Sequence, residues 1–185
     1  MKHEDMENQQ SIIIKRIVLD TEFTALQQDT KLISLALVTD SGENFYAVFN
    51  DFDKDRCNIF VKENVLPFLN DKDSNTISGN TNEIVIALKN WLSQFDQFQL
   101  QFWADVPHYD WVLFCELFGG SLNLPPNIHF MCLDIATLLM ASGFNYQTER
   151  IRILQHLGMK GEFQIHNALS DAELGMILLQ NLLKI

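Results

Sequence analysis

The chain contains 185 residues, 47% of them hydrophobic and 20% charged, and its formal net charge at pH 7 is −11. This composition indicates a globular domain with a sizeable core and excludes an intrinsically disordered chain. The negative charge argues against a protein that coats nucleic acid with a broad basic surface, but it suits an enzyme in which bound cations reverse the local charge.

The N-terminal segment MKHEDMENQQ is polar and acidic, unlike a secretory signal peptide. We expect residues 1–11 to form a flexible leader and residues 12–185 to form one domain. No uninterrupted apolar run approaches the length of a membrane span, and Cys57, Cys115 and Cys132 lack CxxC spacing. We therefore expect reduced core thiols in a cytoplasmic protein.

The first half of the chain predicts an antiparallel meander followed by two helices. β-Branched and apolar runs predict strands over residues 12–19, 32–38 and 44–49. Apolar residues at helical spacing predict helices over 59–69 and 82–95, and the polar run 70–80 between them predicts a loop.

The second half alternates strands and helices. We expect strands over residues 98–104 and 128–133, and helices over 109–118, 135–141, 148–157 and 168–183. This order predicts an α/β fold in which helices cover a mixed, five-stranded sheet.

Three clusters of acidic residues stand out. Asp20 and Glu22 follow the first strand in VLDTEFT, and they share one face if the strand continues through Glu22. Two such carboxylates repel each other unless a cation lies between them. A solvated turn at the strand end is the alternative.

The second and third clusters accompany helices. Asp110 opens the helix that follows FWADVPHY, and Asp105 competes with it as a ligand but ranks second because it lies in a loop. His166 and Asp171 flank the start of the last helix, and their side chains converge only if His166 lies on the loop that enters it. Carboxylates suit hard divalent cations, and a histidine can take a proton from water at neutral pH.

The order of these clusters resembles the DEDDh 3′-5′ exonuclease superfamily, which includes proofreading exonucleases, RNase T and oligoribonuclease. Its three motifs match Asp20-Thr21-Glu22, Tyr109-Asp110, and His166 with Asp171 in HNALSDA. The tyrosine variant of the superfamily would need Tyr where Asn167 stands. Within the superfamily, residues 17–182 are similar to the small stand-alone 3′-5′ exoribonucleases known from mycobacteria.

The resemblance implies an RNase H-like fold and a metal-dependent exonuclease that releases nucleoside 5′-monophosphates from single-stranded RNA or 3′ overhangs. Two Mg²⁺ ions, which Mn²⁺ could replace, would bind to four carboxylates, with His166 as the base. It also implies a homodimer. The metal ligands would be Asp20, Glu22, Asp110 and Asp171, and the substrate contacts Glu22, Phe23, Thr24, Tyr109 and His166.

Aromatic and basic residues near the motifs are further candidates. Stacking on bases is one interpretation of several aromatic side chains, and core packing is the other. The aromatic candidates are Phe23, Trp103, Tyr109, Trp111 and Phe163. Arg150, Arg152 and Lys160 could contact phosphates or form a solvated helix face.

Three other functions stay open at this point. A DNA-directed 3′-5′ exonuclease would use the same chemistry on single-stranded DNA. A catalytically degenerate domain could bind protein, although the intact set of five site residues counts against it. An RNase H-type endonuclease would also use two metals, but the spacing of His166 and Asp171 disfavours it.

Overall fold

The computed structural model describes residues 13–69, 75–159 and 166–185. The expected leader, Phe163 and Lys160 lie outside the described residues. Within these residues the strands are β1 (Ile14–Phe23), β2 (Leu32–Thr39), β3 (Asn44–Phe49), β4 (Ile77–Gly79), β5 (Gln99–Ala104) and β6 (Leu133–Asp134). The α-helices are α1 (Ile59–Asn64), α2 (Thr81–Ser93), α3 (His108–Glu116), α4 (Ile135–Ala141), α5 (Arg150–His156) and α6 (Ala168–Leu183).

The strands form one mixed sheet in the order β4-β3-β2-β1-β5-β6. β1, β2 and β3 form the expected antiparallel meander, and β5 joins β1 in parallel. The α/β fold class is therefore confirmed. The described residues form six strands rather than five, because residues 77–79, inside the expected loop, pair with β3 as β4.

Two other elements differ from the expectation. The helix expected over 59–69 is α1 followed, after Val65, by one 3-10 turn at Leu66–Phe68. Pro67 explains the break, since it lacks an N–H and disfavours helical backbone before it. The strand expected over 128–133 is reduced to a bridge between Leu100 and Ile128 and the short β6.

Helices cover both faces of the sheet. One core lies between the sheet and helices α2 and α3, with Leu88 and Phe114 fully buried in it. The other lies beneath α4, α5 and α6, and it includes Val18, Leu139 and Leu179. Burial of these apolar side chains holds α6 against β1 and β2.

Gly175 permits a close approach of α6 to β1. A Cβ atom at this position would lie 2.9 Å from Cγ1 of Val18 and 3.4 Å from Cδ1 of Ile135. Helix packing is thus the reason for this glycine. Because Asp171 lies one turn earlier on the same helix, the close contact also brings Asp171 towards the end of β1.

The thiols are free and largely internal: Cys57 and Cys115 are buried and Cys132 is half-buried. Burial raises the pKa of the Cys115 thiol to about 11, so this thiol stays protonated and unreactive at neutral pH. Among the described helices, none is long and apolar enough to cross a membrane.

Candidate active site

Asp20 and Glu22 lie at the carboxyl end of β1 on the face that α6 covers. β1 extends to Phe23, four residues beyond the expected end, so the condition for a shared face is met. Across the strand pair, Asp20 lies opposite Ala36 and Glu22 lies opposite Ser34. Both carboxylates are half-buried, so they are partly removed from water.

Asp171 joins this pair from the first turn of α6. Carboxylate oxygens of Asp20, Glu22 and Asp171 all lie within 4.8 Å of one another. The start of α6 is held by Asn167, whose side chain accepts the N–H of Ser170 and donates to the hydroxyl of Tyr46 at 3.5 Å. The helix cap thus fixes where Asp171 meets β1.

Asp110 approaches from the other side and is held by Thr21. Its Oδ1 accepts the backbone N–H of Thr21 at 3.0 Å and the Thr21 hydroxyl at 2.6 Å. The pairing of β1 with β5 ends at Val18, which leaves the edge of β1 open for this contact. The residue between two candidate ligands therefore positions a third.

His166 lies on the loop that enters α6, as convergence with Asp171 requires. Its backbone adopts φ 63°, and its N–H donates to Oδ2 of Asp171 at 2.9 Å. The ring of Phe60 on α1 meets the imidazole edge-on, with 4.9 Å between ring centroids. His166 is half-buried at the rim of the carboxylate cluster.

The four carboxylates share an environment that opposes their ionisation. Burial, and then repulsion by Asp171 and Asp110, raises the pKa of Glu22 to about 8. Burial also raises the pKa of Asp110 to about 6, against the opposing effect of Thr21. The pKa values of Asp20 and Asp171 are raised, mainly by burial. Divalent cations fit this cluster, since they would remove the repulsion between its oxygens.

These shifts predict that, in EDTA, the free energy of unfolding falls as the pH rises from about 4.5 to about 8. Over that range the unfolded chain loses the Glu22 proton, whose ordinary pKa is 4.5, while the folded protein keeps it until about 8. Urea unfolding at several pH values measures this. Glu22→Gln should flatten the pH dependence, and an unchanged slope in that variant would contradict the assignment.

Thr21→Val is expected to weaken divalent-cation binding and RNA digestion about 10-fold, the usual effect of removing a group that orients a ligand. Valine keeps the shape and the backbone N–H contact but lacks the 2.6 Å hydroxyl contact with Asp110. Mn²⁺ titration calorimetry measures the loss.

Thr39→Val is the matched control for Thr21→Val. It also removes a buried hydroxyl that donates to a carboxylate, that of Glu43. Thr39 lies at the carboxyl end of β2, away from the carboxylate cluster. Equal losses of Mn²⁺ affinity in the two variants would show that the effect of Thr21 is one of general stability.

The expected substrate contacts differ in their surroundings. Phe23 and Tyr109 are half-buried and stack on each other, with centroids 5.2 Å apart. Thr24 is buried, and its hydroxyl contacts the Thr30 hydroxyl and the Lys31 N–H, both at 3.1 Å. Its side chain therefore closes the β1–β2 loop, and the role of Thr24 as a substrate contact stays a prediction.

The remaining aromatic candidates belong to the core. Trp103 is 9% exposed and packs under α6. Trp111 packs against Phe102 and Phe114, and its Nε1 donates to the Phe130 carbonyl at 2.7 Å. Core packing is therefore the correct interpretation for both tryptophans.

The two described arginines of the candidate basic patch form ion pairs. Arg150 donates to both oxygens of Asp105, from Nε at 2.6 Å and from Nη2 at 2.8 Å. Arg152 pairs with Glu149 at 2.7 Å. Contacts of these two arginines with phosphates, one of the two interpretations, would require these pairs to open. Asp105 still lies close enough to raise the pKa of Asp20, so its pairing with Arg150 limits the negative charge beside the centre.

Sequence reasoning missed two residues that shape the site. In the sequence, Thr21 is the spacer of the D-x-E motif, and Phe60 lies within a predicted helix. The middle residue of D-x-E points to the face of β1 opposite the two carboxylates. A polar threonine at that position is the signal that could have indicated a contact with Asp110. No sequence signal links Phe60 to a histidine more than one hundred residues away.

Comparison with known proteins gives a family match and two relatives. A model described as the Rv2179c-like 3′-5′ exoribonuclease domain matches residues 15–183. Two 3′-5′ exoribonucleases of Mycobacterium tuberculosis, Rv2179c of strain H37Rv and MT2234.1 of strain CDC 1551, are each 29% identical over 157 residues. The alignment covers 85% of this chain and 86% of each relative.

Solved structures show the same fold. The nuclease domain of 3′hExo, a DEDDh family member bound to rAMP, superposes with a TM-score of 0.66 at 15% identity, covering 94% of both chains. A 3′-exonuclease that recognises the histone mRNA stem-loop gives 0.68 at 12% identity, covering 94% of this chain and 83% of the other. At these identities the likeness establishes the RNase H-like architecture alone.

Proposed function

The chain belongs to the Rv2179c-like 3′-5′ exoribonuclease domain family, and on that premise we propose that it shortens single-stranded RNA, or 3′ overhangs, from the 3′ end. It is a 3′-5′ exonuclease, as the family match and the two named relatives support. The products are nucleoside 5′-monophosphates. The observation that carries this proposal is the convergence of Asp20, Glu22 and Asp171 within 4.8 Å.

The carboxylates of Asp20, Glu22, Asp110 and Asp171 are the residues that would hold two Mg²⁺ ions, or Mn²⁺ in their place. Oxygen ligands alone, with no cysteine among them, favour these metals over zinc. When bound, the ions supply positive charge for the attacking and leaving oxygens of the phosphodiester. The raised pKa values of the cluster support this assignment, because a cation would stabilise the ionised carboxylates.

His166 is proposed as the general base. Its imidazole takes a proton from water, whose oxygen attacks phosphorus while the bond from phosphorus to the 3′-oxygen breaks. The leaving 3′-oxygen takes up a proton from solvent water and becomes the 3′-hydroxyl of the shortened RNA, and His166 returns its proton to solvent. The backbone N–H of His166 meanwhile holds Asp171, so one residue both orients a ligand and presents the base.

Glu22, Phe23 and Tyr109 are proposed to receive the terminal nucleotide, together with His166. Phe23 follows Glu22 on β1, and Tyr109 precedes Asp110 on α3, so their stacked rings lie beside two ligands. Half-buried aromatic rings can stack on any base, which suits an enzyme that digests RNA without a sequence preference.

The preference for RNA over DNA is supported by the names of the relatives. A homodimer is proposed from the family resemblance, and a cytoplasmic location from the free cysteines and the polar N-terminal segment. Sedimentation of the purified chain would determine its oligomeric state.

Digestion of a 5′-labelled single-stranded RNA in Mg²⁺ tests the proposed function. We expect a ladder that shortens from the 3′ end, release of 5′-monophosphates, and no digestion in EDTA. The matching DNA should react more slowly. A 3′-blocked RNA should resist digestion, and internal cleavage of that substrate would indicate an endonuclease instead.

A further inference from the structure

A buried hydroxyl without a partner lies next to the carboxylate cluster. Ser34 on β2 is 0% exposed, and its Oγ forms no hydrogen bond with any residue in the described part of the chain. A buried hydroxyl without a partner costs folding free energy that an apolar side chain would not cost. The residues around Ser34 determine which partner its hydroxyl can reach.

Ser34 lies directly opposite Glu22 in the antiparallel pair of β1 and β2. Directly paired residues of neighbouring strands project from the same face, with Cβ atoms about 4.5–5.5 Å apart. The register shifts immediately after this pair, since Phe23 lies opposite Leu32. Ile33, the neighbour of Ser34 on β2, packs in the apolar cluster beneath α1, and adjacent residues of a strand point to opposite faces. Ser34 is therefore the residue of this pair that faces Glu22.

Among the described residues, the two other adjacent neighbours of Ser34 on this face carry no acceptor in their side chains, and the next acceptors, those of Asp20 and Tyr46, lie one pair further along, opposite Ala36. Val48 pairs with it from β3, and Ala36 is the next residue of β2 on the same face. Glu22 is the charged residue among these neighbours, and its two methylene groups let a carboxylate oxygen reach across the strand pair.

We propose that Ser34 is a positioning residue that donates its hydroxyl proton to the Glu22 carboxylate when Glu22 binds a divalent cation. The inference rests on the proposed function, because Glu22 acts there as a metal ligand. A hydroxyl fixed on a central strand restricts the rotamers of the long Glu22 side chain and leaves its second oxygen for the cation. Hydrogen bonds of this kind orient metal-binding carboxylates and strengthen their binding.

Ser34→Ala tests the proposal through two readouts, the thermal stability of the metal-free protein and its affinity for Mn²⁺. In EDTA the variant should unfold at the same temperature as the wild type or a higher one, because an unpaired buried hydroxyl has been removed. Its Mn²⁺ affinity, measured by titration calorimetry, should fall about 10-fold. The Mg²⁺ concentration that gives half-maximal RNA digestion should rise by a similar factor, with the rate at saturating Mg²⁺ close to that of the wild type.

Thr76→Val is the matched control. Thr76 also carries a buried hydroxyl without a partner among the described residues, but it lies beside β4, at the far edge of the sheet. Its removal should leave Mn²⁺ affinity unchanged. If Ser34→Ala binds Mn²⁺ as tightly as the wild type, the role of Ser34 is wrong while the metal centre stands. If the wild type itself binds no Mn²⁺, both assignments fail.

Discussion

Asp20→Asn is expected to reduce RNA digestion by more than about 100-fold, which exceeds the usual effect of losing a residue that only orients a ligand. A carboxylate oxygen of Asp20 lies within 4.8 Å of oxygens of Glu22 and Asp171, and the charge of Asp110 is close enough to raise the pKa of Asp20. Asparagine keeps the shape of the side chain but removes the charge that holds a cation. The rate of digestion of labelled RNA at saturating Mg²⁺ measures the loss.

The same substitution should stabilise the protein in EDTA. Burial, and then repulsion by Asp110, Asp171 and Glu22, raises the pKa of Asp20 well above its ordinary value, so a neutral amide relieves a cost of folding. Thermal unfolding in EDTA should therefore occur at a higher temperature than in the wild type. Asp96→Asn, at an exposed carboxylate, is the control and should change neither readout. A less stable Asp20→Asn protein would mean that its inactivity reflects misfolding.

His166→Asn should lower kcat by about 10²- to 10⁴-fold, the range for loss of a general base. Asparagine is chosen because His166 has φ 63°, a left-handed conformation that Asn adopts more readily than most residues. The contact with Asp171 comes from the backbone N–H and survives the substitution. Mn²⁺ affinity should accordingly stay near the wild-type value, unlike that of Asp20→Asn.

The control for His166→Asn is His156→Asn, at an exposed histidine on α5. It should have no effect on kcat. Retention of more than half of the activity by His166→Asn would exclude His166 as the base. A parallel loss of Mn²⁺ affinity would instead assign it a role in holding the metal centre.

Local patterns in the sequence were sufficient for most of the fold. The limits of α6 (Ala168–Leu183) and α4 (Ile135–Ala141) match the predicted ranges, because apolar residues at helical spacing and clear caps mark both helices. The sequence does not predict β4, because Ile77–Gly79 is only three residues long and is defined by its pairing with β3. Such short strands carry no periodicity of their own.

The candidate site likewise contains residues that local sequence patterns identify and residues that they do not. Asp20, Glu22, Asp110, His166 and Asp171 were singled out from three short motifs, and the structure brings three of their carboxylates within 4.8 Å. The groups that hold them depend on contacts between distant parts of the chain. Thr21 meets Asp110 across 89 residues, and Arg150 meets Asp105 across 45. Pairings of this kind follow from the folded sheet and cannot be derived from local spacing.

The most direct test of the metal centre is anomalous diffraction from crystals grown with Mn²⁺ at pH 8. We predict Mn²⁺ bound to carboxylate oxygens of Asp20, Glu22 and Asp171, with Asp110 contributing through the oxygen that Thr21 does not hold. Crystals of an RNA-degrading preparation with no Mn²⁺ in contact with Asp20 would contradict the assignment of the site.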